Sequence, residues 1–217
     1  MAVWRDIYRT AKQRRDEMTV QNREIKVNRR DVLRGWGASA ALSLAAIPHA
    51  SAAAGGGWPL LSGISGLDER HLWIRQAGRQ ETLHTPFRHT DGSLDLDACV
   101  LLSWLFRDWR DADAFVGIDP WLFDRLATVQ TLLSAAHQRP LEIVLNSGYR
   151  TARRNRTIEG AAANSQHIHG RAADITVPGI ANTAVHRTAS AAGAHGLGRY
   201  STFTHIDVGP PGRRWRG

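Results

Sequence analysis

Two short segments constrain this chain more than any other feature: Ser165-Gln-His-Ile-His-Gly-Arg-Ala-Ala-Asp174 and, further on, Phe203-Thr-His-Ile-Asp207. They supply two histidines and a carboxylate at fixed spacings, in stretches that read as loop and strand. Three N/O donors with a fourth position open to water are the ligand inventory of a catalytic zinc. His167 and Asp174 are the expected ligands from the first segment and His205 the one from the second. Gly170 permits a tight backbone path between the first two, and small Ala172 and Ala173 let that strand pack closely beneath a metal. A lone histidine is usually structural, and the chain has ten. The pairing of H-x-x-G-x-A-x-D with a later H-x-D is far rarer, and it carries the zinc reading. On a strand, residues two apart share a face, so His205 and Asp207 project together while Ile206 enters the core. Asp207 is then the first candidate for general base, or else a carboxylate that orients a histidine. His195 and His169 stand behind it as base candidates.

Through these residues the chain resembles the zinc D-Ala-D-Ala carboxypeptidase-like murein peptidases, a group that includes the hedgehog amino-terminal domain. Within it, the branch of murein endopeptidase K and its twin-arginine-exported relatives is most similar. Further segments carry the likeness: Leu105-Phe-Arg-Asp-Trp-Arg110, Ile118-Asp-Pro120, Asn146-Ser-Gly-Tyr-Arg-Thr151, Gly198-Arg-Tyr200 and Thr204-His-Ile-Asp-Val208. The resemblance implies an α+β fold, a small antiparallel sheet flanked by helices. It implies a zinc cofactor and hydrolysis of the peptide cross-links of peptidoglycan. Alternatives are a D,D- or L,D-carboxypeptidase acting on murein stem peptides, or a non-catalytic zinc-bearing module that binds the cell wall. By the same likeness Arg150 does substrate or transition-state work and Ser165 contacts substrate. Tyr149 and Tyr200 are candidates for the cleft wall. The best-known pattern places a Glu three residues before the last ligand, where this chain has Thr202, and this leaves the base open. Arg107, Asp108, Trp109 and Arg110 read mainly as an ion-pair cluster supporting the site.

The amino terminus stands apart from the fold. Asn28-Arg-Arg-Asp-Val-Leu-Arg34 fits a twin-arginine export signal, and Gly35 to Ile47 follows as a mildly apolar stretch. It is shorter than the roughly 20 residues a membrane span needs, so no stable span is expected. Pro48 ends it, and Ala50-Ser-Ala52 is a cleavage site of A-x-A type. Met18 lies nearer the arginine pair than Met1 and is an alternative start. Residues 1–52 are therefore expected to be a cleaved signal read by the twin-arginine translocase, 53–67 a linker, and 68–217 a periplasmic peptidase domain. The leader holds ten Lys/Arg and five Asp/Glu, leaving 18 and 15 for the rest. That modest balance carries no nucleic-acid signature. Cys99 is the only cysteine, which excludes an intramolecular disulfide, and its apolar helical setting marks a buried thiol.

Periodicity supplies the layout. Leu72, Ile74 and Leu83 around a turn near Gly78 predict a strand pair. Ser93 or Asp95 caps a helix with Leu96, Cys99, Val100, Ser103 and Phe106 along one face. Asp119-Pro120 opens another, with Leu122, Leu126, Val129, Leu132, Leu133 and Ala136 inward. Leu141 to Leu145 is a buried strand that delivers Ser147-Gly-Tyr-Arg150 to a loop. Ala172 to Val177 and Phe203 to Val208 are strands, and Asn182 to Ala192 is a helix.

Overall fold

The computed structural model describes residues 69–217; the arginine pair, the cleavage site and the 53–67 linker lie outside the described residues. β1 (Arg70–Gln76) and β2 (Thr82–Arg88) form the expected hairpin, in which Leu72 and Ile74 are fully buried. α1 (Leu96–Leu105) starts at Asp95, whose side chain accepts from the Ala98 N–H. This N-cap satisfies one of the four amide groups that a helix start leaves unpaired. α2 (Pro120–Ala136) is capped by Asp119, with proline at its first position, where the missing N–H costs nothing. Leu122, Leu126, Val129 and Leu133 are buried along its inner face, whereas Ala136 is exposed. β3 (Ile143–Ser147), a short α3 (Ala152–Asn155), β4 (Ala172–Thr176), α4 (Asn182–Ala191), β5 (Gly196–Arg199), β6 (Thr204–Asp207) and β7 (Arg213–Arg216) follow among the described residues.

The expected sheet is corrected in both size and sense. It has seven strands in the order β2-β1-β3-β4-β6-β5-β7, and β1/β3 and β5/β7 pair in parallel. A parallel neighbour needs a crossover. α1 and α2 provide it between β1 and β3, while β6 and the turn after it lie between β5 and β7. The pairings Ala173↔Ile206 and Leu197↔Ile206 put these buried residues on one face with the helices. Alternation sends Asp174, His205 and Asp207 to the other.

Beneath the helices the core contains Phe87, Phe106 and Phe123, packed edge to face at 5.9 and 5.6 Å. Each such pair contributes about 0.5–1.5 kcal/mol beyond the area it buries. Two polar clamps tie α2 to the hairpin. Asp124 takes Arg70 and Arg88, and Gln130 accepts from the Trp73 N–H while donating to the Trp73 and Leu141 carbonyls. Cys99 is fully buried and burial pushes its thiol up to about 12, so it is inert as a nucleophile. Among the described residues no helix is long and apolar enough to cross a membrane.

Candidate metal centre

The first candidate ligand, His167, sits on a 3-10 turn, Gln166–His169, whose start is capped by Ser165: its hydroxyl oxygen accepts from the His167 N–H at 3.4 Å. Gly170 ends the turn at φ +65°, a left-handed conformation that costs glycine little. A Cβ there would also lie 3.0 Å from the Gly117 carbonyl oxygen. The chain then runs straight into β4. Asp174 pairs across the ladder with His205 of β6, and Ala172 with Asp207. The turn thus lays His167 over two strands that already hold the other two donors side by side.

The three donor atoms converge. His167 Nε2 lies 3.2 Å from both Asp174 Oδ1 and His205 Nδ1, and His205 Nδ1 lies 2.8 Å from Asp174 Oδ1. Donors bound to zinc at about 2.0–2.2 Å in tetrahedral geometry are separated by similar distances. The outer nitrogens decide the tautomers. His167 Nδ1 is 2.6 Å from the Gly148 carbonyl, which can only accept, so the proton belongs on Nδ1. His205 Nε2 is 3.1 Å from Asp207 Oδ2, and Asp207 also accepts from the Gly209 N–H and from Arg213. With both outer nitrogens donating, two imidazole lone pairs and a carboxylate oxygen face one point without a proton between them. Three buried acceptors in mutual contact are stable around a cation, and the donor set therefore fits a divalent metal of the zinc type.

Electrostatics follow the same geometry. Burial holds His167 below the ordinary imidazole range, more than Asp174 lifts it. Burial also disfavours a charge on His205, but its bonds to Asp174 and Asp207 outweigh this and raise it. Burial alone would raise Asp174; the two imidazoles beside it win and hold the carboxyl well below the usual carboxylate range. The two histidines thus shift in opposite directions against one shared carboxylate. Asp174 is the member whose ionised state is secure.

The other expected site residues lie around this centre. Arg150 donates through Nη2 to Asp174 and through Nε to Ser147 Oγ at 2.8 Å; its Nη1 has no partner among the described residues. Tyr149 is half-buried against the core. Asp207 is fully buried, with both oxygens engaged as described. His195 bonds the Gly209 carbonyl through Nδ1 at 2.9 Å, and His169 bonds Asn164 through Nε2 at 2.7 Å on the surface. Asp108 accepts from the Thr151 N–H and pairs with Arg154, and Arg107 is clamped by Glu81 and Asp113, as expected for a supporting cluster.

Sequence reasoning missed β7. Arg213 reaches Asp207, and the Trp215 ring lies 5.0 Å from the His205 ring while its indole N–H donates to the Tyr200 hydroxyl. Both reach across β5 because Gly196 and Gly198 leave the strand bare: a Cβ on Gly196 would collide with the Asp207 carboxylate, and one on Gly198 would lie 2.5 Å from the Trp215 ring. Two glycines alternating on a short strand, followed by Arg-x-Trp, were the available signal.

Fold and site together define the class: an α+β protein with a buried His-Asp-His centre of metal-ligand geometry on the face of its sheet opposite the helices. A family model described as peptidoglycan L,D-endopeptidase MepK matches residues 65–215, and the chain belongs to that family. It is 32% identical over 163 residues to peptidoglycan L,D-endopeptidase MepK of Escherichia coli (strain K12), covering 72% of this chain and 86% of that protein. It is 37% identical over 122 residues to the probable peptidoglycan L,D-endopeptidase MepK of Haemophilus influenzae, covering 54% and 63%.

Proposed function

We propose that this chain is a zinc metallopeptidase that hydrolyses peptide cross-links of peptidoglycan after export through the twin-arginine route to the periplasm. One observation carries the reading: in a member of a peptidoglycan endopeptidase family, three buried acceptors meet at 2.8–3.2 Å with their protons turned outward. His167, Asp174 and His205 would hold the zinc. When bound, zinc supplies Lewis-acid chemistry, polarising a carbonyl and acidifying water. Asp207 takes the orienting role. It keeps the His205 proton on Nε2, as carboxylates beside metal-binding histidines do, and Arg213 and Gly209 hold it in turn. Arg150 positions Asp174 with one arm and offers Nη1 to the substrate's developing oxyanion or carboxylate.

With Asp207 enclosed, base work passes to a histidine. His195 donates from Nδ1 and so keeps Nε2 as an acceptor; His169 donates from Nε2 and keeps Nδ1. Loss of kcat with metal retained in His195→Ala, but not His169→Ala, assigns the base to His195. Ser165 caps the ligand turn and lies beside the substrate's path in this reading, as Tyr149 does.

Digestion of isolated peptidoglycan, with products weighed by mass spectrometry, tests the activity. Conversion of cross-linked dimers to monomers supports the endopeptidase, while loss of one terminal residue from stem peptides indicates a carboxypeptidase. Thr202, exposed where the best-known pattern has Glu, favours a second reading, a zinc-bearing module that binds the wall without hydrolysis. Full zinc with no products would establish it. Replacing Arg29 and Arg30 by Lys should leave precursor in the cytoplasm, and normal export of that variant would refute the twin-arginine route.

A further inference from the structure

Beside the metal centre lies a small cleft, open to solvent and lined by Gln76, Arg107, Arg110, Tyr149, Arg150 and Arg154 among others. It shares the Ser147–Arg150 loop with the metal site: Gly148 holds His167 from this loop, and Arg150 holds Asp174. Four arginines line the cleft against one carboxylate, Asp108. Three of the four are ion-paired: Arg107 with Glu81 and Asp113, Arg154 with Asp108, and Arg150, through one arm only, with Asp174. Arg110 makes no ion pair with any described residue. Its guanidinium carbon lies 4.5 Å from the centre of the Trp109 ring, a cation–π contact, and the side chain is exposed, so its N–H groups are open to a ligand. A second group is also unmatched. Gln76 is 4% exposed and donates to the Leu105 carbonyl at 2.6 Å, yet its Oε1 is buried without a partner. Buried acceptors of this kind are rare in folded proteins unless something occupies them.

We propose that the cleft is a substrate subsite for a residue bearing a free carboxylate, which Arg110 binds through its exposed N–H edge while Gln76 Oε1 accepts an N–H from the same residue. The inference rests on the peptidoglycan endopeptidase reading and adds to it the group that the enzyme selects next to the scissile bond. The cluster around Arg107 is structural; Arg110, at its end, is the specificity-determining member.

The test compares a synthetic cross-linked stem-peptide dimer carrying free carboxylates with the same dimer amidated at those carboxylates. The zinc-loaded wild-type protein should prefer the acid by about 10-fold or more in kcat/KM, the value of a charge-assisted hydrogen bond. The preference should appear in KM. Arg110→Gln should bring the acid down to the level of the amide, and Arg110→Lys should keep part of the preference. An unchanged acid-to-amide ratio in Arg110→Gln overturns the subsite, as does a loss on both dimers alike. Calorimetric binding of the same two dimers reads the cleft without turnover. Acid-selective binding with no cleavage sinks the endopeptidase reading and leaves the subsite standing; cleavage without acid preference does the reverse.

Discussion

At the residue scale, the centre is defined by which atom of each side chain faces inward. Asp174 Oδ1, His167 Nε2 and His205 Nδ1 point at one another because Gly148 and Asp207 claim the opposite nitrogens. The two histidines therefore present different nitrogens to the centre, a choice made by hydrogen-bond partners that are distant in sequence for His167 and two residues away for His205. Spacing alone picked out the three candidate donors that the fold brings together; it did not show the nitrogens, since Gly148 reaches His167 only through the fold. His205→Ala should lose metal and activity together. Asp207→Ala should keep zinc at high concentration but with affinity weakened by about 10–100-fold, and with most activity gone. Metal content after dialysis against graded chelator separates the two variants. Loss of zinc from Asp207→Ala as complete as from His205→Ala would make Asp207 a ligand or an indispensable support.

At the element scale, the strands that were legible are those with apolar periodicity. β1, β3 and β4 carry Leu72, Ile74, Ile143, Leu145, Ala173 and Ile175 inward. β5 and β7 carry no such pattern. Gly196-Leu-Gly-Arg199 has glycine on its site face, and Arg213-Arg-Trp-Arg216 alternates site residues with exposed arginines at the edge of the sheet. The parallel pairing of β1 with β3, across two helices, is likewise invisible to local pattern. The bare face of β5 is the device that lets Arg213 and Trp215 reach the centre. Gly198→Ala should displace the Trp215 ring from His205, with a quenching change in tryptophan fluorescence and lowered activity. Gly196→Ala should unseat Asp207 and destabilise the fold by about 1–3 kcal/mol, as overpacking does. Thermal unfolding and fluorescence of both variants check this, and unaltered activity in Gly196→Ala would contradict the role given to Asp207.

For the whole molecule, the β1–β2 hairpin carries a pH-dependent contribution to stability that lies apart from the site. His84 lies in the hairpin between Trp73 and His71, at 6.0 and 6.1 Å between ring centroids. Burial, and behind it the His71 charge, push it down to about 4. The unfolded chain takes up that proton near pH ~6.5, whereas the folded chain stays neutral there until about 4. The unfolded state binds more protons in this window, so the stability present above it is lost as pH falls through it. Denaturant midpoints measured from about pH 7 to about pH 4.5 should decline, and His84→Phe should decline less steeply. A profile identical to the wild type would remove His84 from the account.

The central claim is that His167, Asp174 and His205 hold one zinc and that hydrolysis depends on it. The direct measurement is cross-link cleavage by the purified protein, alongside its metal content, before and after a chelator and again after zinc is returned. The account predicts about one zinc per chain, with cleavage lost on chelation and restored by zinc. Because ligation requires unprotonated imidazoles, both quantities should fall together as pH drops, with His205, whose bonds to Asp174 and Asp207 raise it, the first to take up a proton. Metal-free protein that cleaves at the full rate would contradict it.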